Sequence, residues 1–107
     1  IDFRGGTANS SSAFTGTGVL GSGITAAADE WVFLAVVYNQ SAGTVRLHVN
    51  GQTFTANSNF NPGKTFLNIG RNPNGNGEHF KGLIDEVFFY DEALTASEVD
   101  NIRLTGI

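Results

Sequence analysis

The sequence predicts an all-β domain of antiparallel strands, closed by one short helix. Its 107 residues include 14 Gly and 9 Phe, and only 15% are charged, a composition typical of strands joined by many turns. Two apolar runs, residues 31–38 and 83–90, are rich in β-branched and aromatic side chains, which favours strands over helices. The length suits a single domain, residues 1–107, with a modest core.

The N-terminal part of the chain predicts short strands and loops, because residues 5–28 are rich in Gly, Ser, Thr and Ala, with a short apolar mark at Val19 and Leu20. The run that follows, residues 31–38, is apolar at odd and even positions alike. Both faces of such a strand need cover. We therefore expect a central strand here, with Trp31 in the core.

Residues 44–49 alternate strictly, so one parity carries three apolar side chains and the other carries Arg46 and His48. The three apolar residues are Val45, Leu47 and Val49. Asn50-Gly51 follows at once, and this dipeptide tolerates the positive φ angles of a type I′ hairpin turn. We expect residues 52–56 to return antiparallel to residues 44–49.

The C-terminal half predicts two further strands and the helix. Residues 66–71 and 80–90 are predicted as strands, the second of them central, and the turn-forming residues 72–79 between them as a loop. Thr95-Ala96-Ser97-Glu98 is a capping box. It predicts a helix over residues 96–103 that packs through Val99 and Ile102.

Five motifs stand in the order found in one known family. They are the run 31–38, Val45-Arg46-Leu47-His48-Val49-Asn50-Gly51, Ile69-Gly70-Arg71, Phe80-Lys81-Gly82-Leu83-Ile84-Asp85-Glu86-Val87 and Tyr90-Asp91-Glu92-Ala93-Leu94-Thr95. Residues 31–102 thereby resemble the C-terminal part of laminin G-like, concanavalin A-like lectin/glucanase jelly-roll domains. The resemblance implies an antiparallel β-sandwich with some of the preceding strands missing. It also implies carbohydrate, protein or calcium ligands. The implied location is outside the cell or at the cell surface, in a bacterial protein.

Composition excludes several classes of partner and site. A net charge of −4 without a Lys/Arg cluster argues against nucleic acid and anionic membranes. The longest apolar run is far shorter than the ~20 residues that a membrane-spanning helix needs, so we expect no membrane insertion. There is no Cys, so neither a disulfide nor a thiolate metal site is available.

No catalytic pattern is present, and we predict that the chain is not an enzyme. Asp85 and Glu86 are neighbours, and neighbours in a strand point to opposite faces of the sheet, so they cannot flank one glycosidic bond. The Glu-x-Asp-x-x-Glu pattern of the related laminarinase-type hydrolases is absent, as is the Gly-x-Ser-x-Gly of a serine nucleophile. A fragment of a glycoside hydrolase is therefore the least favoured interpretation.

Calcium is the one candidate cofactor. Asn72, Asn74, Asn76 and Glu78 offer an oxygen at every second position of a glycine-containing loop, and Asp85 could add a carboxylate. The alternatives are a solvated turn and an Asp85 that caps loop amides. The two histidines, His48 and His79, lack metal-ligand spacing, and we expect both at the surface.

The candidate ligand residues combine aromatic rings with hydrogen-bonding groups, as glycan sites do. They are Tyr38, Arg46, His48, Arg71 and Tyr90. The alternative is that the aromatic members belong to the core. Two functions follow: an extracellular carbohydrate-binding or adhesion module whose partner is a glycan or an extracellular protein, or a structural module that pairs an open sheet face or edge with another chain, for example as a homo-oligomer.

Overall fold

The described part of the chain contains five strands and one helix. The computed structural model describes residues 2–5, 18–21, 27–57, 69–71 and 79–106, the first two ranges by their backbone alone. The elements are β1 (Asp2–Gly5), β2 (Gly18–Gly21), β3 (Leu34–Asn39), β4 (Thr44–Val49), β5 (Gln52–Asn57) and α1 (Ala96–Thr105). The predicted fold class, antiparallel strands with one short C-terminal helix, is confirmed.

The strands form two antiparallel sheets. β1 pairs with β2, and the second sheet has the order β3-β4-β5. The loop between β3 and β4 closes locally, since Gly43 N–H donates to the carbonyl oxygen of Gln40 at 3.2 Å and Ala42 N–H donates to Asn39 Oδ1 at 3.0 Å. Gly43 has a φ of +64°, which glycine adopts without steric cost.

The turn between β4 and β5 is the two-residue loop that Asn50-Gly51 predicts, because Val49 pairs directly with Gln52. The predicted turn type is wrong, however. Asn50 has a φ of +54°, but Gly51 lies outside the left-handed region, whereas a type I′ turn requires positive φ at both central residues. Asn50 also holds the chain before β3, since Asn50 N–H donates to Phe33 O at 2.9 Å and Phe33 N–H donates to Asn50 Oδ1 at 3.0 Å.

Asn50→Ala tests this turn. The variant loses the acceptor for Phe33 N–H and places a Cβ-bearing residue without a polar side chain at positive φ, so we expect the free energy of unfolding to fall by about 1–2 kcal/mol. Asn50→Gly allows the positive φ and loses only the side-chain hydrogen bond. Its free energy of unfolding, measured by urea titration, should therefore lie between those of the parent and Asn50→Ala. An alanine variant as stable as the parent would contradict this account.

The core lies on β4. Val45, Leu47 and Val49 are all buried, and their pairing places them beside residues of the same parity on both neighbouring strands. The alternation therefore predicts the buried face correctly. Val99 of α1 is buried as well, whereas Ile102 is half-buried.

The helix begins at the predicted capping box. Thr95 Oγ1 accepts from Glu98 N–H at 3.2 Å, and Glu98 Oε2 accepts from Thr95 N–H at 2.7 Å. Two donors of the first turn are thereby satisfied. The helix ends at Thr105, two residues later than predicted, where Gly106 adopts a φ of +79° and donates its N–H to Ile102 O. No helix in the described ranges is long and apolar enough to cross a membrane.

Two predictions for the run 31–38 are wrong. The strand begins only at Leu34, and among the described strands it is an outer strand of its sheet, whereas β4 is the central one. Trp31 is 68% exposed, so it does not lie in the core. The reason is positional, since Trp31 precedes the first paired residue and no strand register directs its side chain inward.

The predicted central strand over residues 80–90 is also absent. A strand requires a neighbour that completes its hydrogen-bond ladder. The pairing at this point of the described chain is an isolated bridge between Arg71 and His79, just before the segment, followed by the hydrogen bond from Phe80 N–H to Gly70 O at 2.7 Å. Glu86 has a φ of +52°, which interrupts an extended backbone. Six large apolar side chains are exposed in this segment: Phe80, Leu83, Ile84, Val87, Phe89 and Tyr90.

The remaining predicted elements fall wholly or partly outside the described residues. Residues 66–68, the first half of the predicted strand 66–71, belong to the undescribed range 58–68, and residues 72–78 of the predicted loop 72–79 are undescribed as well. Of that strand, residues 69–71 are described, and only Arg71 takes part in a bridge.

Candidate functional site

The candidate site lies on the face of the β3-β4-β5 sheet opposite Leu47. Directly paired residues of neighbouring strands share a face, so the register defines this polar face by the following residues. It carries Ala35, Val37 and Asn39 of β3, Thr44, Arg46 and His48 of β4, and Thr53, Thr55 and Asn57 of β5. The C-terminal segment that leads into α1 lies over it.

Arg46 connects the polar face to that segment. Its Nη2 donates to the carbonyl oxygen of Leu94 at 2.5 Å, and its Nε donates to His48 Nε2 at 2.8 Å. A guanidinium presents five N–H donors in a fixed plane. One side chain therefore contacts both a neighbour on its own strand and a residue 48 positions later in the chain.

His48 acts as an acceptor in this arrangement, which requires the neutral ring. Burial lowers the pKa of His48 below its ordinary value of 6.5, the positive charge of Arg46 lowers it further, and the negative charge of Asp100 raises it in part. His48 is only 3% exposed. The expectation of a surface histidine is therefore wrong, because α1 covers this part of the polar face.

Two cavities flank this contact. The Arg46 cavity has a volume of about 170 Å³ and is lined by Val37, Asn39, Thr44, Arg46, Thr55, Ala93, Leu94 and Thr95. The His48 cavity has a volume of about 320 Å³ and is lined by His48, Gly51, Thr53, Ala96, Ser97, Asp100 and Arg103. Both lie between the sheet and the C-terminal segment.

The Arg46 cavity is rich in hydrogen-bonding groups. It combines a guanidinium, one amide and three threonine hydroxyls, and none of its lining residues is acidic. Part of the guanidinium is already used by Leu94 and His48, which fixes its orientation. Groups held in this way can recognise hydroxyl or carbonyl oxygens of a small ligand.

The structure brings together two of the five predicted ligand residues, Arg46 and His48. Tyr38 pairs with Val45 and therefore lies on the opposite face of the sheet, where it is half-buried. Tyr90 is exposed and packs edge-on against Phe88, with ring centroids 5.9 Å apart. Arg71 is exposed beside the bridge to His79. The ligand roles of these residues stay predictions.

The predicted calcium loop lies outside the described residues, since Asn72, Asn74, Asn76 and Glu78 belong to the range 72–78. Asp85 is described, and its Oδ1 accepts from Glu86 N–H at 2.8 Å, which agrees with the alternative of a carboxylate that caps a loop amide. Within the described part of the chain, no three acidic or histidine side chains are grouped for a metal ion.

Sequence reasoning missed most of the Arg46 cavity. Thr44 and Thr55 could have been found, because the hairpin register places them beside Arg46 on the same parity. The contribution of Ala93, Leu94 and Thr95 could not have been predicted. Leu94 lies 48 positions after Arg46 in the chain and contributes through its backbone carbonyl, which no sequence pattern reveals.

Comparisons with known proteins agree with this architecture. A laminin G family model described as "Concanavalin A-like lectin/glucanases superfamily" matches residues 2–100. The 2.1 Å crystal structure of an S-layer domain-containing protein (residues 221–444) from Clostridium thermocellum ATCC 27405 is similar, with a TM-score of 0.59 and 20% sequence identity. The alignment covers 79% of this chain and 44% of that one, so this chain spans less than half of the solved structure. No curated protein matches the chain.

Proposed function

The chain belongs to the concanavalin A-like lectin/glucanases superfamily, and from this premise we propose that it is a carbohydrate-binding or adhesion module without catalytic activity, placed outside the cell or at its surface. The resemblance predicted from the motifs of residues 31–102 is confirmed by the match over residues 2–100. The ligand and the location are inferences from that membership.

The Arg46 cavity is the observation that carries the proposed ligand class. Its hydroxyls, amide and guanidinium suit the hydroxyl groups of a sugar, which pair with fixed polar groups in protein sites. Its volume of about 170 Å³ is below the roughly 300 Å³ at which drug-sized pockets begin. A single sugar unit, at the end or side of a glycan, fits this size.

The lining of the cavity supports binding rather than hydrolysis. Glycoside hydrolysis commonly uses two carboxyl groups on either side of the scissile bond, and the Arg46 cavity is lined by none. Asp85 caps the amide of Glu86, away from the cavity lining. The absence of catalysis remains part of the proposal, tested by release of reducing sugar from any glycan that binds.

Thr55→Tyr tests the site. Thr55 is exposed and lines the cavity, so a tyrosine there should fill the cavity and weaken binding tenfold or more on a glycan array, which corresponds to about 1.4 kcal/mol. Gln52→Tyr is the matched control, because Gln52 is exposed on the same strand but pairs with Val49 on the other face.

The outcomes separate the site from the function. Equal binding by the parent and Thr55→Tyr would place the ligand elsewhere. A parent protein that binds no glycan on the array would overturn the proposed function itself.

An assembly module is the second candidate, and one observation favours it. The exposed apolar side chains of residues 80–90, together with those of Trp31, Leu34 and Val36, make the surface of the described residues unusually apolar for a protein in water. Burial of this surface against another chain would stabilise the protein. Light scattering during size-exclusion chromatography distinguishes the candidates, since a dimer or larger species favours assembly and a monomer excludes obligate self-pairing.

A further inference from the structure

The contact between Arg46 and His48 has a chemical requirement that the rest of the sheet does not share. His48 Nε2 receives the Nε–H of Arg46 at 2.8 Å, so it must carry a lone pair. A protonated imidazole has N–H donors at both ring nitrogens. Protonation would then set two donors and two positive charges against each other within hydrogen-bonding distance.

The other charged groups around His48 do little to accommodate a second positive charge. Arg46 faces His48 from β4, and Asp100 and Arg103 of α1 line the His48 cavity. Asp100 Oδ1 is already paired with Arg103 Nε at 2.8 Å, so its carboxylate is shared. The β3 and β5 residues paired with His48 are Ala35 and Thr53, which carry no charge.

Arg46 also holds the C-terminal segment, through the hydrogen bond from Nη2 to Leu94 O. The same planar guanidinium makes both contacts. A displacement that separates Nε from a protonated His48 must also move Nη2, because the group is rigid. The protonation state of His48 is thereby coupled to the contact between the sheet and residues 93–95.

We propose that Arg46 and His48 form a pH-sensitive latch, which holds the segment around Leu94 against the sheet while His48 is neutral and releases it when His48 is protonated. Helix α1 remains attached through Val99, which is buried, so release is local. Arg46, Leu94 and Thr95 all line the Arg46 cavity. If the proposed carbohydrate site is correct, acidification also weakens the binding of its ligand. The latch itself does not depend on that function.

The direction of the pH effect follows from the environment of His48. Burial, followed by the charge of Arg46, lowers the pKa of His48 in the folded state below 6.5. The unfolded chain therefore binds more protons than the folded one as the pH falls through this range. The stabilisation is complete above 6.5 and is lost progressively as the pH falls towards the lower pKa of the folded state.

The test uses the two histidines of the chain as a pair. Urea unfolding midpoints are measured between about pH 8 and about pH 5, where unperturbed histidines titrate and carboxylates contribute little. We expect the urea midpoint of the parent to decrease once the pH is below about 6.5. His79→Gln, at an exposed position, should follow the parent. His48→Gln should show a flat profile, because a glutamine carbonyl accepts from Arg46 at any pH.

A second measurement covers the case in which His48→Gln fails to fold. In the unsubstituted protein, a ¹H–¹⁵N NMR titration should show the backbone amides of Leu94 and Thr95 shifting with the same midpoint as the ring of His48. Equal pH profiles for His48→Gln and the parent, or amides of Leu94 and Thr95 that do not follow His48, would overturn the latch. Neither readout uses a glycan, so failure of the latch and failure of the proposed function are distinguishable.

Discussion

Replacing Leu47 by alanine is expected to lower the free energy of unfolding by about 3 kcal/mol, within the range measured for buried Leu→Ala substitutions. Leu47 is 5% exposed and lies on the central strand between Val36 and Phe54. Truncation removes its apolar contacts and leaves a cavity that neighbours on two strands cannot readily fill. A loss of this size is a large fraction of the roughly 5–15 kcal/mol that stabilises a typical domain. The measurement is a urea titration followed by circular dichroism.

Leu34→Ala provides the matched control on the same face of the same sheet. Leu34 pairs with Val49 but is 56% exposed, so the identical substitution should cost within about 0.5 kcal/mol, as for most surface changes. If Leu34→Ala proved as costly as Leu47→Ala, then Leu34 would be covered in solution, and another chain would be the first candidate for that cover.

Replacing Arg46 by alanine is the second change with a large expected effect, about 2–3 kcal/mol at neutral pH. The variant removes the donors to Leu94 O and His48 Nε2, and hydrogen bonds from charged groups contribute about 1.5–3 kcal/mol. Arg46 is only half-buried, so solvent replaces part of the loss. Thermal or urea unfolding measures the change.

Two comparisons show whether the geometry of Arg46, rather than its charge, is responsible. Arg46→Lys retains the positive charge but replaces the planar fork by one nitrogen, which cannot occupy the positions of both Nε and Nη2, so it should lose nearly as much stability as alanine. Arg71→Ala removes an exposed guanidinium and should leave stability almost unchanged. Full stability in Arg46→Lys would show that charge alone suffices.

The sequence was most informative where a few neighbouring residues determine the structure. Asn50-Gly51 specifies a two-residue hairpin, strict alternation specifies the buried parity of β4, and Thr95 with Glu98 specifies the start of α1. Each of these features spans six residues or fewer, so pattern and side-chain chemistry determine them together. The turn type was missed because the contact of Asn50 with Phe33, 17 positions away, is not visible in the dipeptide.

The failures concern segments whose conformation depends on distant partners. Residues 80–90 have the composition of a strand, but strand formation depends on a neighbour with free backbone groups, and composition does not report whether one is within reach. Trp31 is apolar, yet its exposure depends on where pairing begins. At the site, parity correctly placed Arg46 beside His48 and separated both from Val45. It could not show that residues 94–103 would bury His48, since that requires docking of the C-terminal segment.

The same difference in sequence separation determines the order in which the molecule assembles. The β3-β4-β5 meander closes through loops of four and two residues, and short loops cost little chain entropy and form within microseconds. The hydrogen bond from Arg46 to Leu94 closes 48 residues of chain and should form after the meander. Interactions made after the transition state slow unfolding and leave the folding rate nearly unchanged. We therefore expect Arg46 to affect how long a folded molecule persists more than how quickly it forms. Through the proposed latch, we expect acid to shorten the lifetime of the native state with little effect on the rate of folding.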